Sequence, residues 1–165
     1  MTTASRVQGP HRAWMGGTAV TELGAGVFSE AGILSLRGME AVKMLEEGCF
    51  ADCNKLESLV GMGPGVTELP HACFYKCKRL KSRLGLSPNV TKFGSVAFFN
   101  SASITDINGW PLNVESIETV PFGHSFTGCT CLLPPELADR DADPAAVIMF
   151  LNAKAREGRY HAACA

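Results

Sequence analysis

Apolar positions in this chain recur over a long period. Phe28, Phe50, Phe74, Phe98 and Phe122 are separated by 22, 24, 24 and 24 residues. Eight residues before each stands a valine: Val20, Val42, Val66, Val90 and Val114. Three after each valine comes Leu23, Leu45, Leu69, Phe93 or Ile117. The chain thus divides into copies over 20–41, 42–65, 66–89, 90–113 and 114–137. Within a copy, "VTEL" alternates apolar and polar as a strand does, and "LESLVGM" reads as a second strand. Between them, "GCFADC" or "HACFYKC" predicts a helical or 3-10 turn carrying a buried Phe. Gly63-Pro64-Gly65 and Ser87-Pro88-Asn89 close copies two and three. Such a unit cannot enclose a core by itself; stacking buries a continuous core and leaves two ends that need caps.

Further columns join these. Six residues after each Phe come Leu34, Leu56, Leu80 and Ile104, with Gly128 breaking the series. Glycines follow at Gly38, Gly61, Gly85 and Gly109, beside large apolar residues at Met39, Met62, Leu86 and Trp110. Arg83 stands in copy three where Leu59 and Ile107 stand in their copies, so the register there is an open question.

The columns resemble those of the BspA-like (Treponema pallidum-type) leucine-rich repeat family, through "VKMLEEGCFADCNKL", "VTELPHACFYKCKRL" and "VTKFGSVAFFNSASI". The resemblance runs from residue 20 to about residue 128. It implies an α/β leucine-rich-repeat solenoid with about five repeats, short strands, short turns and a binding or adhesive role. It implies no catalytic residues.

After the repeats, Asp143 suits an N-cap, Pro144 the first helical position and Gly158 a stop, so a C-terminal helix is expected between them. Three regions result: a poorly ordered segment over 1–19, the repeats over 20–137, and a helical cap or tail over 138–165.

Composition narrows the function. The 165 residues suffice for one domain with a sizeable core. A net charge of -1 gives no global field that favours nucleic acid or anionic lipid. No apolar run approaches the roughly 20 residues that cross a membrane. The start carries Arg6, His11 and Arg12 without the apolar core of a secretory signal. With seven cysteines, an odd number, this favours reduced thiols in the cytoplasm.

Cys49 and Cys53, then Cys73 and Cys77, form two Cys-x3-Cys pairs that suggest zinc or redox chemistry. Other copies fill the same columns with Val27, Ala97, Pro121, Ala31, Ser101 and Ser125, so the pairing reads as a product of the repeat. No metal or cofactor is therefore expected. The histidines sit in no nucleophile motif, and no catalytic constellation is found.

The expected function is a non-enzymatic module binding a protein through its second strands. The alternatives are a small zinc or redox protein and a structural fragment of a longer surface antigen. The outward strand positions are expected at Ser58, Val60, Ser82, Leu84, Asp106 and Asn108, whose low charge suits a protein partner better than a phosphate backbone. A basic patch at Lys76, Lys78, Arg79 and Lys81 is the second candidate, either a solvated face or a site for an acidic protein surface.

Overall fold

The computed structural model describes residues 2–4, 13–15, 20–59, 61–81, 85–105, 110–121 and 123–157, the first two stretches as backbone only. The strands are β1 (Thr2–Ala4), β2 (Ala13–Met15), β3 (Val20–Leu23), β4 (Ser35–Arg37), β5 (Met44–Leu45), β6 (Ser58–Leu59), β7 (Glu68–Leu69), β8 (Lys92–Phe93), β9 (Ser116–Ile117), β10 (Thr119–Val120) and β11 (Gly123–His124). The first strands of the copies build two parallel sheets, β1-β3-β5 and β7-β8-β9, the first extended by β1 from the segment ahead of copy one. The second strands of copies one and two, β4 and β6, build the parallel sheet β2-β4-β6 with β2, again from the segment ahead of copy one. Parallel neighbours need a long crossover, which the remainder of each copy supplies. Leu23 pairs with Leu45, Leu69 with Phe93 and Phe93 with Ile117, so the apolar column is in register, and every member is buried.

The turns stack more regularly than the strands. Phe28, Phe50, Phe74 and Phe98 are fully buried, with successive ring centroids 5.3, 5.1 and 5.3 Å apart. The fifth ring is Phe126, which lies 5.3 Å from Phe98. The sequence spacing favours Phe122 for this place, a residue outside the described set. The antiparallel pair β10–β11 accounts for the difference, because it inserts four residues between β9 and the turn. Counted from Phe126, Cys129 falls three residues on and the buried Leu132 six on, which removes the break at Gly128. Copy one also shifts. Ser35 pairs with Ser58 and Leu36 with Leu59, which aligns Ile33, fully buried, with Leu56 in place of Leu34.

Each of the first four turns uses a left-handed residue two places before its Phe: Gly26, Gly48, Ala72 and Val96 have φ of 59, 59, 53 and 54°. Glu30, Asp52, Lys76 and Asn100 repeat this two places after, with φ between 54 and 60°. An L residue there carries a cost of about 1–2 kcal/mol. The conformation lets alternate N–H groups point along the stack. Gly48 donates to His71 O, Phe50 to Cys73 O and Asp52 to Tyr75 O, and the neighbouring copies do likewise.

The first-strand side has a seam. Glu46, Gly94 and Glu118 each donate an N–H to the preceding copy, to Leu23 O, Leu69 O and Phe93 O. Pro70 holds the equivalent place in copy three and has no N–H to offer Leu45. The sheet divides there, between β5 and β7.

The last copy is covered by α1 (Pro135–Ala138) and α2 (Pro144–Arg156). Asp143 caps α2 by accepting from Ala145 N, and Val147 and Leu151 are its buried face. Asn152 ties the helix to the stack, donating to Val114 O at 3.1 Å and accepting from Trp110 Nε1 at 3.4 Å. Trp110 in turn stacks on Phe93 at 5.0 Å. The turn's open N–H groups find local partners: Gly128 N donates to Ala138 O, and Phe126 N to His124 Nδ1. His124 Nε2 lies 3.1 Å from Asp139 O, so its proton sits on Nε2. Burial lowers the pKa of His124 from its ordinary 6.5 and keeps the ring neutral, as this pairing requires.

Candidate interaction surface

Two surfaces follow from this stacking. On the second-strand sheet, Ser58 is half-buried in β6 beside Ser35 of β4, while Leu59 and Leu36 turn into the core. Val60, Ser82, Leu84, Asp106 and Asn108, expected with Ser58 on this face, lie outside the described residues, as does Arg83.

The second surface is the outer side of the turns. Lys78, Arg79 and Lys81 are exposed, and Lys76 is half-buried. Arg79 reaches Glu57 of copy two at 3.9 Å, with side chains 61% and 49% exposed, a pair of small energetic consequence. Two half-buried aromatic rings sit beside these cations. Tyr75 and Phe99 stack with centroids 5.5 Å apart, and the Lys76 ammonium lies 4.9 Å from the centre of the Tyr75 ring. Sequence reading singled out the cations and missed the rings. Their signal was present: both directly follow the Phe column.

The thiols have structural partners. Cys53 donates to Phe28 O at 2.9 Å, Cys77 to Phe50 O at 3.2 Å and Cys129 to Phe98 O at 3.1 Å. Ser101 makes the same bond to Phe74 O at 2.9 Å. Each Phe carbonyl also accepts the N–H three residues on in its own copy, so the column fills a second lone pair. Ser125 belongs elsewhere: Phe98 donates to its carbonyl as Phe50 does to that of Cys73. Cys49 and Cys73 occupy that other column, their sulfurs 3.5 Å apart.

Burial pushes the Cys53 and Cys129 thiols up to about 12 and raises Cys73 and Cys77 well above the ordinary 9.0. Protonated, hydrogen-bonded thiols are poor metal ligands and poor nucleophiles. Among the described residues, no three His, Cys, Asp or Glu side chains are grouped to hold a metal ion. Cys131, unlike the five buried thiols, is disulfide-bonded, against the expectation of reduced cysteines throughout.

Two other polar features bear on chemistry. His71 Nδ1 lies 2.7 Å from Ser95 Oγ, and Glu118 accepts from Ser95 N at 3.3 Å. The carboxylate is thus on the serine backbone and does not orient the imidazole as a nucleophile's base requires. An open cleft of about 360 Å³ lies at the seam, lined by Lys43, Met44, Leu45, Thr67, Glu68 and Pro70. It contains neither His71 nor Ser95.

A model of the BspA-type leucine-rich repeat region matches residues 17–132, in six copies. The chain belongs to this family. The match spans the whole Phe stack and both surfaces just described, and it supports a repeat protein-interaction module in general terms. No curated protein matches this BspA-type chain in sequence. Among its described residues no helix is long and apolar enough to cross a membrane.

Proposed function

We propose that the chain is a non-enzymatic protein-binding module: a curved solenoid of about five stacked repeats over 20–137, closed by the helical segment over 138–165. Its partner docks on the surface of the second strands. The observation that carries this reading is the β2-β4-β6 sheet, where Ser35 and Ser58 stand in register as uncharged, half-buried neighbours above buried Leu36 and Leu59. A rigid parallel sheet presents such positions with little ordering cost on binding. Val60, Ser82, Leu84, Asp106 and Asn108 would continue that surface into later copies. Family membership supports an interaction role.

The test is quantitative affinity capture with the wild type and with Ser58→Glu combined with Val60→Glu. The variant should keep its circular-dichroism spectrum and lose the wild-type partners, because an unpaired carboxylate buried at an interface is costly. A folded variant that captures the same proteins moves the binding surface elsewhere. An unfolded variant means that these side chains face the core and the strand register differs by one.

A further inference from the structure

The repeats provide an internal control for each position. Directly after the Phe column stand Ser29, Ala51, Tyr75, Phe99 and Thr127. The turn therefore forms with a small residue there, and the stacked rings of Tyr75 and Phe99 are not required by the fold. The cations obey the same logic. Lys76 corresponds to Asp52 and Asn100, Lys78 to Asn54 and Ala102, and Arg79 to Lys55 and Ser103. Copies three and four thus share an aromatic surface that the other copies do without, and copy three gathers three cations, Lys76, Lys78 and Arg79, beside it where the turn of each neighbouring copy has at most one.

The charges are also poorly neutralised. Among the described residues the one ion pair in this patch is the loose contact of Arg79 with Glu57. Copy four contributes Asn100, Ala102 and Ser103, none of them charged. Lys76 is held against Tyr75, which fixes a cation at the edge of the aromatic platform. Half-buried rings flanked by exposed cations suit a ligand with carboxylates beside a large apolar side chain.

We propose that Tyr75, Phe99, Lys76, Lys78 and Arg79 form a second binding surface, distinct from the strand face, for a short acidic peptide segment of a partner protein that carries an aromatic residue. Charge complementarity selects this occupant. A phosphate backbone needs a basic track along several copies. Here the copy-two side sets Asp52 and Glu57 against the single cation Lys55, and the turn of copy four offers no cation to extend the patch.

Fluorescence anisotropy of the full chain tests this with three labelled probes. They are a short Asp/Glu peptide with one central Trp, the same peptide with Asn and Gln replacing the acids, and an oligothymidylate. The variants borrow residues that the neighbouring copies already use: Lys78→Asn with Arg79→Ser, and separately Tyr75→Ala. The acidic peptide should bind, weaken as salt rises, and lose roughly tenfold in affinity in the charge variant. Tyr75→Ala should cost several-fold without removing the salt dependence. Four results overturn the proposal: no binding of the acidic peptide, equal binding of the neutral peptide, tighter binding of the oligothymidylate, or unchanged affinity in the charge variant. If a variant fails to fold, the three probes on the wild type still decide between acidic peptide, apolar adhesion and nucleic acid.

Discussion

The two sides of the stack are built to different standards. On the turn side, five buried rings, a thiol and hydroxyl ladder and alternate backbone N–H bonds continue from Phe28 to Phe126. On the first-strand side, the strands of copies two to five are two residues long, and the sheet divides between β5 and β7. A two-residue strand contributes few ladder bonds, whereas each inner Phe buries a large apolar surface against rings on both sides. Cohesion along the stack therefore resides mainly in the turns, and the strands follow their spacing. This also explains how the turns keep Ala72 and Val96 in left-handed geometry: the bonds from Ala72 N to Ser95 O and from Phe74 N to Ala97 O over-determine the backbone there.

The largest expected effect tests that assignment. Phe74→Ala removes a fully buried ring that touches Phe50 and Phe98, and should destabilise the chain by about 3–5 kcal/mol. Because the ring is shared, hydrogen exchange should quicken in copies two and four as well as in copy three. A denaturation midpoint indistinguishable from wild type would falsify the view that the turns carry the stack.

The same contrast governs what could be read beforehand. The turn columns were legible because they combine a rare residue, Phe, with fixed spacing, and burial enforces both. The register failed where spacing changed. Phe122 was one period from Phe98, and nothing local announced that Thr119–Val120 and Gly123–His124 would pair as an insertion and pass the role to Phe126. Counting from the wrong ring then left Gly128 as a break in the leucine series and put Ser125 in the thiol column, where Cys129 belongs. Leu34 was misassigned for a related reason: copy one loses a residue between Phe28 and Ile33. The candidate surfaces were less legible. Cations are visible in a sequence, but only the stacking of copies brings Tyr75 against Phe99, 24 residues on.

The thiol ladder offers a second and smaller effect. The Cys53 and Cys129 thiols titrate at about 12 in the folded chain, against an ordinary 9.0. Raised folded values mean that their stabilising contribution is complete below pH 9 and is lost as pH rises towards 12, because the unfolded chain releases those protons first. Each thiol should steepen the alkaline loss by about 1.4 kcal/mol per pH unit over that window. Cys53→Ser should flatten this limb while costing no more than roughly 1–3 kcal/mol at neutral pH, since Ser101 makes the equivalent bond. Urea melts at neutral pH and at two alkaline values measure both. An unchanged alkaline slope in Cys53→Ser would mean that the thiols do not govern it.

The smallest effect concerns the seam, and it asks whether one residue causes it. In the column Gly24, Glu46, Pro70, Gly94 and Glu118, only proline lacks the N–H that the others provide. Glu46 and Glu118 contribute a second bond, accepting the N–H of Ala25 and of Ser95 in the copy before. Pro70→Gln restores both possibilities: an N–H for Leu45 O and a side-chain oxygen for the N–H of Glu47. Gln is preferable to Glu because Glu46 stands one copy away in the same column, and like charges placed opposite each other repel. The new bonds should contribute about 0.5–1.5 kcal/mol. Losing proline's restraint on the unfolded chain offsets about 0.4–1 kcal/mol of this. Net stability should therefore barely move, and the informative measurement is local. The amide at position 70 should exchange slowly, as those of Glu46, Gly94 and Glu118 should in the parent chain, and the cleft lined by Met44 and Pro70 should narrow. If that amide exchanges freely, the seam is held open by the packing of copies two and three, and the strand side is discontinuous for a reason other than its proline.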